Sequence, residues 1–166
     1  MSQPIPTRTK TVSHLVSVLI AVVVLAADQV TKGLVQKSIP EHEQIPVLPH
    51  FFNLTHTKNA GAAFGLFSDS PAPWKTALLI IVSGALLLAV AGIVWKSRQL
   101  HWETSLGLAL ILGGALSNLF DRIRAGRVVD FLDIYFRNYH WPTFNLADSA
   151  IVVGAGFLIF HVISSE

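Results

Sequence analysis

The sequence predicts an all-α integral membrane protein: four transmembrane helices, with a small β-sheet and a short outer loop or helix outside the bilayer. Three observations carry the membrane part. Of the 166 residues, 52% are hydrophobic and 13% charged, and the mean hydropathy is +0.55, too apolar for an ordinary water-soluble domain. Four stretches, 11–27, 76–95, 104–120 and 149–165, contain no Asp, Glu, Lys or Arg. At about 1.5 Å per helical residue each approaches the roughly 30 Å of a bilayer's hydrocarbon. Trp74 with Lys75 and Trp95 with Lys96 bracket the second stretch, where interfacial aromatics and snorkelling lysines belong.

The whole chain, 1–166, is expected to form a single membrane domain with spans at about 12–34, 75–95, 103–122 and 146–164 and outer segments 35–74 and 123–145. The first span has a rival reading. Arg8 and Lys10 ahead of LVSVLIAVVVLAA resemble a secretory signal peptide. The helical pattern continues through DQVTKGLV and three further spans follow, so an uncleaved helix is expected. Trp102 and Trp141 suit the interfaces of the third and fourth spans. Four spans oblige both termini to share one side with the short 96–103 connection, and the two outer segments to share the other. Basic residues leave orientation open: Arg8, Lys10, Lys96 and Arg98 stand against Lys37, Lys58, Arg124, Arg127 and Arg137. The acid-free N-terminal tail leans toward cytoplasmic termini.

Several function classes drop out. There is no cysteine, hence no disulfide, thiolate nucleophile or Cys-ligated metal. The seven histidines are scattered, and HEQIP at His42 lacks the second histidine of a zincin helix. A net charge of +2 without a basic stripe offers nothing to nucleic acid.

In the first outer segment, PVLPHFFNLTHTKNAGAAFGLF mixes prolines, aromatics and β-branched residues with a small-residue turn. This pattern predicts short strands lying on the membrane surface. The NLT tripeptide at Asn53 matches a glycosylation sequon, but tripeptides of that kind recur by chance.

Polar residues interrupt the spans on one side only. Asp28 and Lys32, four apart, close span one; Asn118, Asp121 and Arg122 share a face at the end of span three; Asn145 and Asp148, three apart, open span four. Alternating helix directions bring all three groups to the same membrane face, within reach of Asp130 in the VVDFLD of the second outer segment. Ionisable groups in a bilayer are costly, so their convergence points to a shared polar site. Two carboxylates held together have a specific use: repulsion keeps one protonated while the other stays ionised. The ionised one takes a proton from water as it attacks a carbonyl, and the protonated one polarises that carbonyl. Asp28, Asp121, Asp130, Asp133 and Asp148 all qualify by spacing. Each also has a plainer role. Asp28 with Lys32 and Asp121 with Arg122 read as positioning pairs, Asp148 as the cap of span four, Asp130 and Asp133 as solvated loop charges.

The motifs DQVTK, NAGAAF, GGALSNLFDR, VVDF and FNLADS, in that order across the four spans, resemble those of the bacterial lipoprotein signal peptidases, or type II signal peptidases. The resemblance extends from about residue 20 to residue 156. It implies an aspartyl endopeptidase of the bacterial cytoplasmic (inner) membrane that removes signal peptides from diacylglyceryl-modified prolipoproteins, cutting before the lipid-modified cysteine. By the same resemblance Asp130 and Asp148 are the catalytic pair. Asp28, Lys32, Asn59, Gly61, Asn118, Arg122 and Asn145 support substrate binding or position the acids, and Asp121 and Asp133 become secondary. It implies no metal or other cofactor. The implied partners are prolipoprotein substrates, membrane lipids and lipopeptide inhibitors such as globomycin. Termini would be cytoplasmic, the sheet extracytoplasmic, and part of the second outer segment a gate over the site.

Two other classes compete. A small four-span proton-coupled transporter also places carboxylates in a membrane, but near the midplane and often with a repeat. A serine protease pairing Ser117 or Ser149 with Lys32 has no supporting sequence context.

Overall fold

The computed structural model describes residues 13–61, 73–96 and 100–164. The Arg8 and Lys10 of the N-terminal tail, Arg98, and most of the AGAAF turn lie outside those residues. Eight elements follow in order: α1 (His14–Ser38), β1 (Gln44–Leu48), β2 (Phe52–Asn59), α2 (Pro73–Lys96), α3 (Trp102–Ala125), β3 (Val128–Phe136), β4 (Tyr139–His140) and α4 (Leu146–Ser164). All four helices are long and apolar enough to cross a membrane.

Local chemistry sets the helix ends. Ser13 caps α1, its hydroxyl accepting from Val16 N at 3.4 Å. At the other end Ile39 is extended, as the residue before Pro40 must be to avoid the pyrrolidine ring. Gly126 ends α3 in the left-handed region (φ 71°), donating to Arg122 O, and the chain enters β3 two residues later. Lys37 and Arg124 lie within α1 and α3; counting uncharged residues measures the hydrocarbon-spanning part, and the helices continue past it into the polar interface.

The outer segments build one antiparallel sheet in the order β1-β2-β3-β4. The strands expected in the first segment are β1 and β2. The second segment, expected as a loop or helix, instead supplies β3 and β4, so Asp130 and Asp133 are strand residues and not solvated loop charges. Strand β3 is tied to neighbours within the sheet. Asp130 pairs with Thr57 and Val128 with Asn59 on β2, while Phe131 N and Leu132 N both donate to Phe144 O. VVDFLD is buried almost throughout, so it lacks the alternation of a half-exposed strand, and its two charges interrupt the continuous apolar run of a strand buried on both faces. Asn53, the sequon residue, is buried on β2 and bonded to Asp133.

Among the helices α3 is central, packing against α1, α2 and α4, and α1 also touches α4. α2 turns Leu78, Ile81, Leu86 and Leu88 outward, the lipid-facing pattern of a span that adds little to the interior. Trp74, Trp95, Trp102 and Trp141 are all exposed near the ends of the bundle. Close approach in the centre depends on glycine. A Cβ on Gly113 would stand 2.6 Å from Ala21 O of α1, and one on Gly114 only 2.4 Å from Ala147 O of α4. Gly114→Ala is therefore expected to lower the thermal midpoint in detergent, costing about 1–3 kcal/mol, whereas Gly92→Ala, with nothing within 4 Å, leaves it unchanged. Equal melting of the two variants would contradict this packing.

Candidate functional site

The polar groups of α1, α3, α4 and β3 converge in two connected layers. The deeper one centres on Asp28, which is fully buried, with Lys32 only 3% exposed. Asp28 accepts from Lys32 Nζ (2.6 Å), Ser117 Oγ (2.7 Å) and the backbone N–H of Ala147 (2.9 Å). One carboxylate thereby joins three helices and satisfies a donor that the start of α4 would otherwise leave unpaired. Lys32 Nζ also reaches Asp121 (2.6 Å) and Asn118 Oδ1 (2.9 Å). A lone buried ammonium is prohibitively costly; one that meets two carboxylates and an amide is not. Gln29 completes the layer, donating to Ser117 Oγ and to Asp121, both at 2.8 Å.

The upper layer holds Asp130 and Asp148 on either side of Asn145, which is completely buried. Asn145 Nδ2 donates to Asp130 Oδ1 at 2.7 Å. Its Oδ1 accepts from the backbone N–H of Asp148 at 2.8 Å, and its own N–H donates to Asp148 Oδ2 at 3.3 Å. This last exchange is a capping box with Asn at N-cap and Asp at the third helical position. The cap suspected for Asp148 is real, and it coexists with the placement of the same carboxylate beside Asp130. Asn118 Nδ2 donates to Asp148 Oδ1 at 2.8 Å; Asn59 Nδ2 donates to Asp130 Oδ2 at 3.0 Å. Asn59 reaches Asp130 because the two are diagonal neighbours on one face of the β2–β3 ladder. Asn118 links the layers, its oxygen held by Lys32 and its amide nitrogen by Asp148.

Burial pushes the Asp130 carboxyl up to about 6, with the nearby Asp148 carboxylate adding to the rise and the Asn59 and Asn145 amides opposing it. The two acids are thus brought together in a setting that moves proton uptake by Asp130 into the mildly acidic range.

Arg122 spans from α3 to the end of β2. Its Nη2 donates to Gly61 O (3.1 Å) and its Nη1 to Asn118 O (3.3 Å), while Gly61 N donates to Asn59 Oδ1 at 2.8 Å. The Arg122 Nε is buried with no acceptor among the described residues, a donor available to something that enters the site. A cavity of about 550 Å³ lies behind Lys32 and Asp121, walled in part by Lys58, Arg124 and Arg127. It abuts the supporting layer and not the two acids.

All nine residues picked from sequence fall in this assembly, and the two secondary aspartates have partners that the sequence did not indicate. Asp121 is bound to Lys32 instead of Arg122. Asp133, on β3, turns to Asn53 Nδ2 (2.9 Å) and His140 Nδ1 (2.8 Å), away from Asp130. Ser117 and Gln29 were missed as supports; both sit inside motifs already quoted, one position from Asn118 and from Asp28. The serine-protease reading fails here. Ser117 Oγ donates to Asp28 and Ser149 Oγ to Asn145 O, and Lys32 is saturated by carboxylates, so no base is available to either hydroxyl.

The family model described as "Signal peptidase (SPase) II" matches residues 20–164. Lipoprotein signal peptidases are similar over most of the chain. That of Solibacter usitatus is 43% identical over 144 residues, covering 87% of this chain and 88% of its own. That of Desulforapulum autotrophicum is 46% identical over 148 residues, covering 89% and 91%. Among solved structures, a bacterial membrane enzyme determined in meso at 2.3 Å resolution superposes with a TM-score of 0.83 at 33% identity, over 95% of this chain and 93% of that one. A second, at 1.9 Å, gives 0.81 at 32% identity.

The Asp130 environment has a measurable consequence. An acid whose folded pKa lies near 6, above its ordinary 3.8, binds more protons folded than unfolded in that interval. Stability is full below the ordinary value and falls as pH rises through about 6. Thermal melting in detergent from pH 4 to pH 7 is expected to show this decline in the native protein, and a shallower one in Asp130→Asn. Identical slopes would refute the raised pKa.

Proposed function

The chain belongs to the signal peptidase II family of multi-pass membrane aspartyl peptidases that process lipoprotein precursors, and from that membership we propose that Asp130 and Asp148 are its catalytic dyad. The observation that carries the assignment is Asn145, a buried residue whose side-chain amide donates to the Asp130 carboxylate and whose backbone N–H donates to that of Asp148. It holds them in register without adding a charge that would have to be neutralised. The substrate in this reading is a prolipoprotein whose cysteine bears diacylglycerol, cut on the N-terminal side of that cysteine.

The chemistry needs a water molecule and the two carboxyl groups. The ionised aspartate removes a proton from water as its oxygen attacks the scissile carbonyl carbon. The protonated aspartate donates to the carbonyl oxygen, giving a tetrahedral diol. As the diol collapses, a proton passes to the peptide nitrogen, the C–N bond breaks, and a carboxyl group and a free amine leave. The pair ends with one proton, as it began. Asn118 and Asn59 hold the outer oxygens of the two acids. Arg122 Nε supplies a donor to a substrate carbonyl at the site's rim, with Gly61 beside it leaving room for a peptide backbone.

Location follows from the substrate. A lipid-bearing precursor with an apolar signal helix arrives within the bilayer, and hydrolysis requires water, so the reaction belongs where the spans meet the interface. In this reading the termini are cytoplasmic and the sheet is on the outer face of the bacterial inner membrane. Lipopeptide inhibitors such as globomycin would compete for the same acids. The transporter reading loses its basis, since the charged groups gather at one end of the bundle instead of the midplane.

Separate Asp130→Asn and Asp148→Asn variants, reconstituted in lipid and checked for folding, are expected to cut a diacylglyceryl prolipopeptide at least ~10²–10⁴-fold more slowly than the native enzyme. Ser149→Ala should retain near-native turnover. Substantial activity in either aspartate variant would remove that residue from the dyad.

A further inference from the structure

At the far end of α3 and α4 from the dyad, three residues widely separated in sequence come together. His101 is the N-cap of α3, yet its side chain makes no capping hydrogen bond. Glu103 is in the first turn of α3, and His161 in the last turn of α4. Close antiparallel packing brings these ends side by side: a Cβ on Gly107 would lie 2.7 Å from Gly154 O. One ligand atom from each of the three side chains lies within 4.8 Å of the others. The two imidazoles are 4.7 Å apart between ring centres and inclined by 41°. The Glu103 Oε2 is buried and has no hydrogen-bond partner among the described residues. A desolvated carboxylate oxygen without a donor is costly, and here it lies beside two imidazoles.

From this geometry we propose that His101, Glu103 and His161 form a binding site for a divalent transition metal of the zinc class. Two imidazoles and a carboxylate are the donors such ions take in preference to magnesium or calcium. Bonds of about 2.0–2.2 Å set tetrahedral ligand atoms about 3.4 Å apart. Drawing the present atoms together requires shifts of about 1 Å or less per side chain, within the reach of the exposed His101 ring. A metal would also give Glu103 Oε2 the positive partner that it lacks among the described residues. The neighbouring Trp102 and Phe157 rings meet edge-on at 6.0 Å and add an apolar flank. A plainer role exists for Glu103 alone, as an acid at a helix N-terminus, but it does not account for the two imidazoles or the unpartnered oxygen.

The site would act as a staple. It joins the start of α3 to the end of α4, the two helices that carry Asn118 and Asp148 at their other ends. Fifteen helical residues, roughly 22 Å, separate Glu103 from Asn118, so the metal takes no part in hydrolysis.

The test uses full-length, tag-free protein in detergent, freed of metal with a chelator and titrated calorimetrically with Zn²⁺. One equivalent is expected to bind saturably. Its affinity should fall at least tenfold in His101→Ala and in His161→Ala and stay unchanged in His42→Ala. Zinc should raise the thermal midpoint of the native protein but not of the first two variants, and Co²⁺ in its place should give visible absorption bands of imidazole ligation. Melting in chelator shows that the His101→Ala chain is folded. The proposal is overturned if no saturable equivalent binds, or if a folded His101→Ala protein binds zinc as tightly as the native one.

Discussion

The carboxylate of Asp28 is the point on which the site's construction depends. It is fully buried, and an unpaired charge there would cost several kcal/mol. Its three partners come from three helices: Lys32 of its own, Ser117 of α3 and the Ala147 N–H that opens α4. Each partner is therefore obliged to be where it is. Lys32 is in turn balanced by Asp121, and its third bond, to Asn118, passes the constraint on to Asp148. Positions in the upper layer are inherited from charge neutralisation in the lower one.

The start of α4 shows how much is asked of a few residues. A helix beginning in the membrane has N–H groups that water cannot reach. Asp28 takes the one at Ala147, and Asn145 takes the one at Asp148. Asp148 reciprocates toward Asn145 N. The cap locks the direction of the Asp148 carboxylate, so capping is compatible with the catalytic role proposed for it. The sheet performs the matching service for Asp130. Pairing of β3 with β2 presents Asp130 on the same face as Asn59, and the bonds from Phe131 and Leu132 to Phe144 carry the chain to Asn145. Arg122, reaching from α3 to Gly61 O, ties the membrane part to the sheet.

Glycine complements these polar links. Where α3 meets α1 and α4, backbones approach more closely than any side chain allows at Gly113 and Gly114. In a membrane, where apolar burial gives helices little reason to associate, such contact and the buried hydrogen bonds supply the cohesion. Both lie at the same level as Ala21 and Ala147 of the neighbouring helices, just beneath the charged network.

Much of this was legible in the residues. Four uncharged runs, the second bounded by Trp and Lys, determined four spans, since hydrocarbon thickness translates directly into residue count. Alternating helix direction then put Asp28, Lys32, Asn118, Asp121, Arg122, Asn145 and Asp148 at one end, and the ordered motifs singled out Asp130 and Asp148. Three things were beyond its reach, each resting on contacts between distant segments. Asp121 and Arg122, adjacent in the chain, are side by side in sequence but point to different partners, Lys32 and Gly61. The strand carrying Asp130 and Asp133 owes its form to pairing with β2, seventy residues earlier, which no local pattern reports. And histidines scattered along the chain gather as His101 and His161 beside Glu103 only because two helices pack antiparallel at close range. Spacing along a helix determines which residues share a face; which face meets which, and so which charges find each other, is decided only when buried groups must all be paired at once.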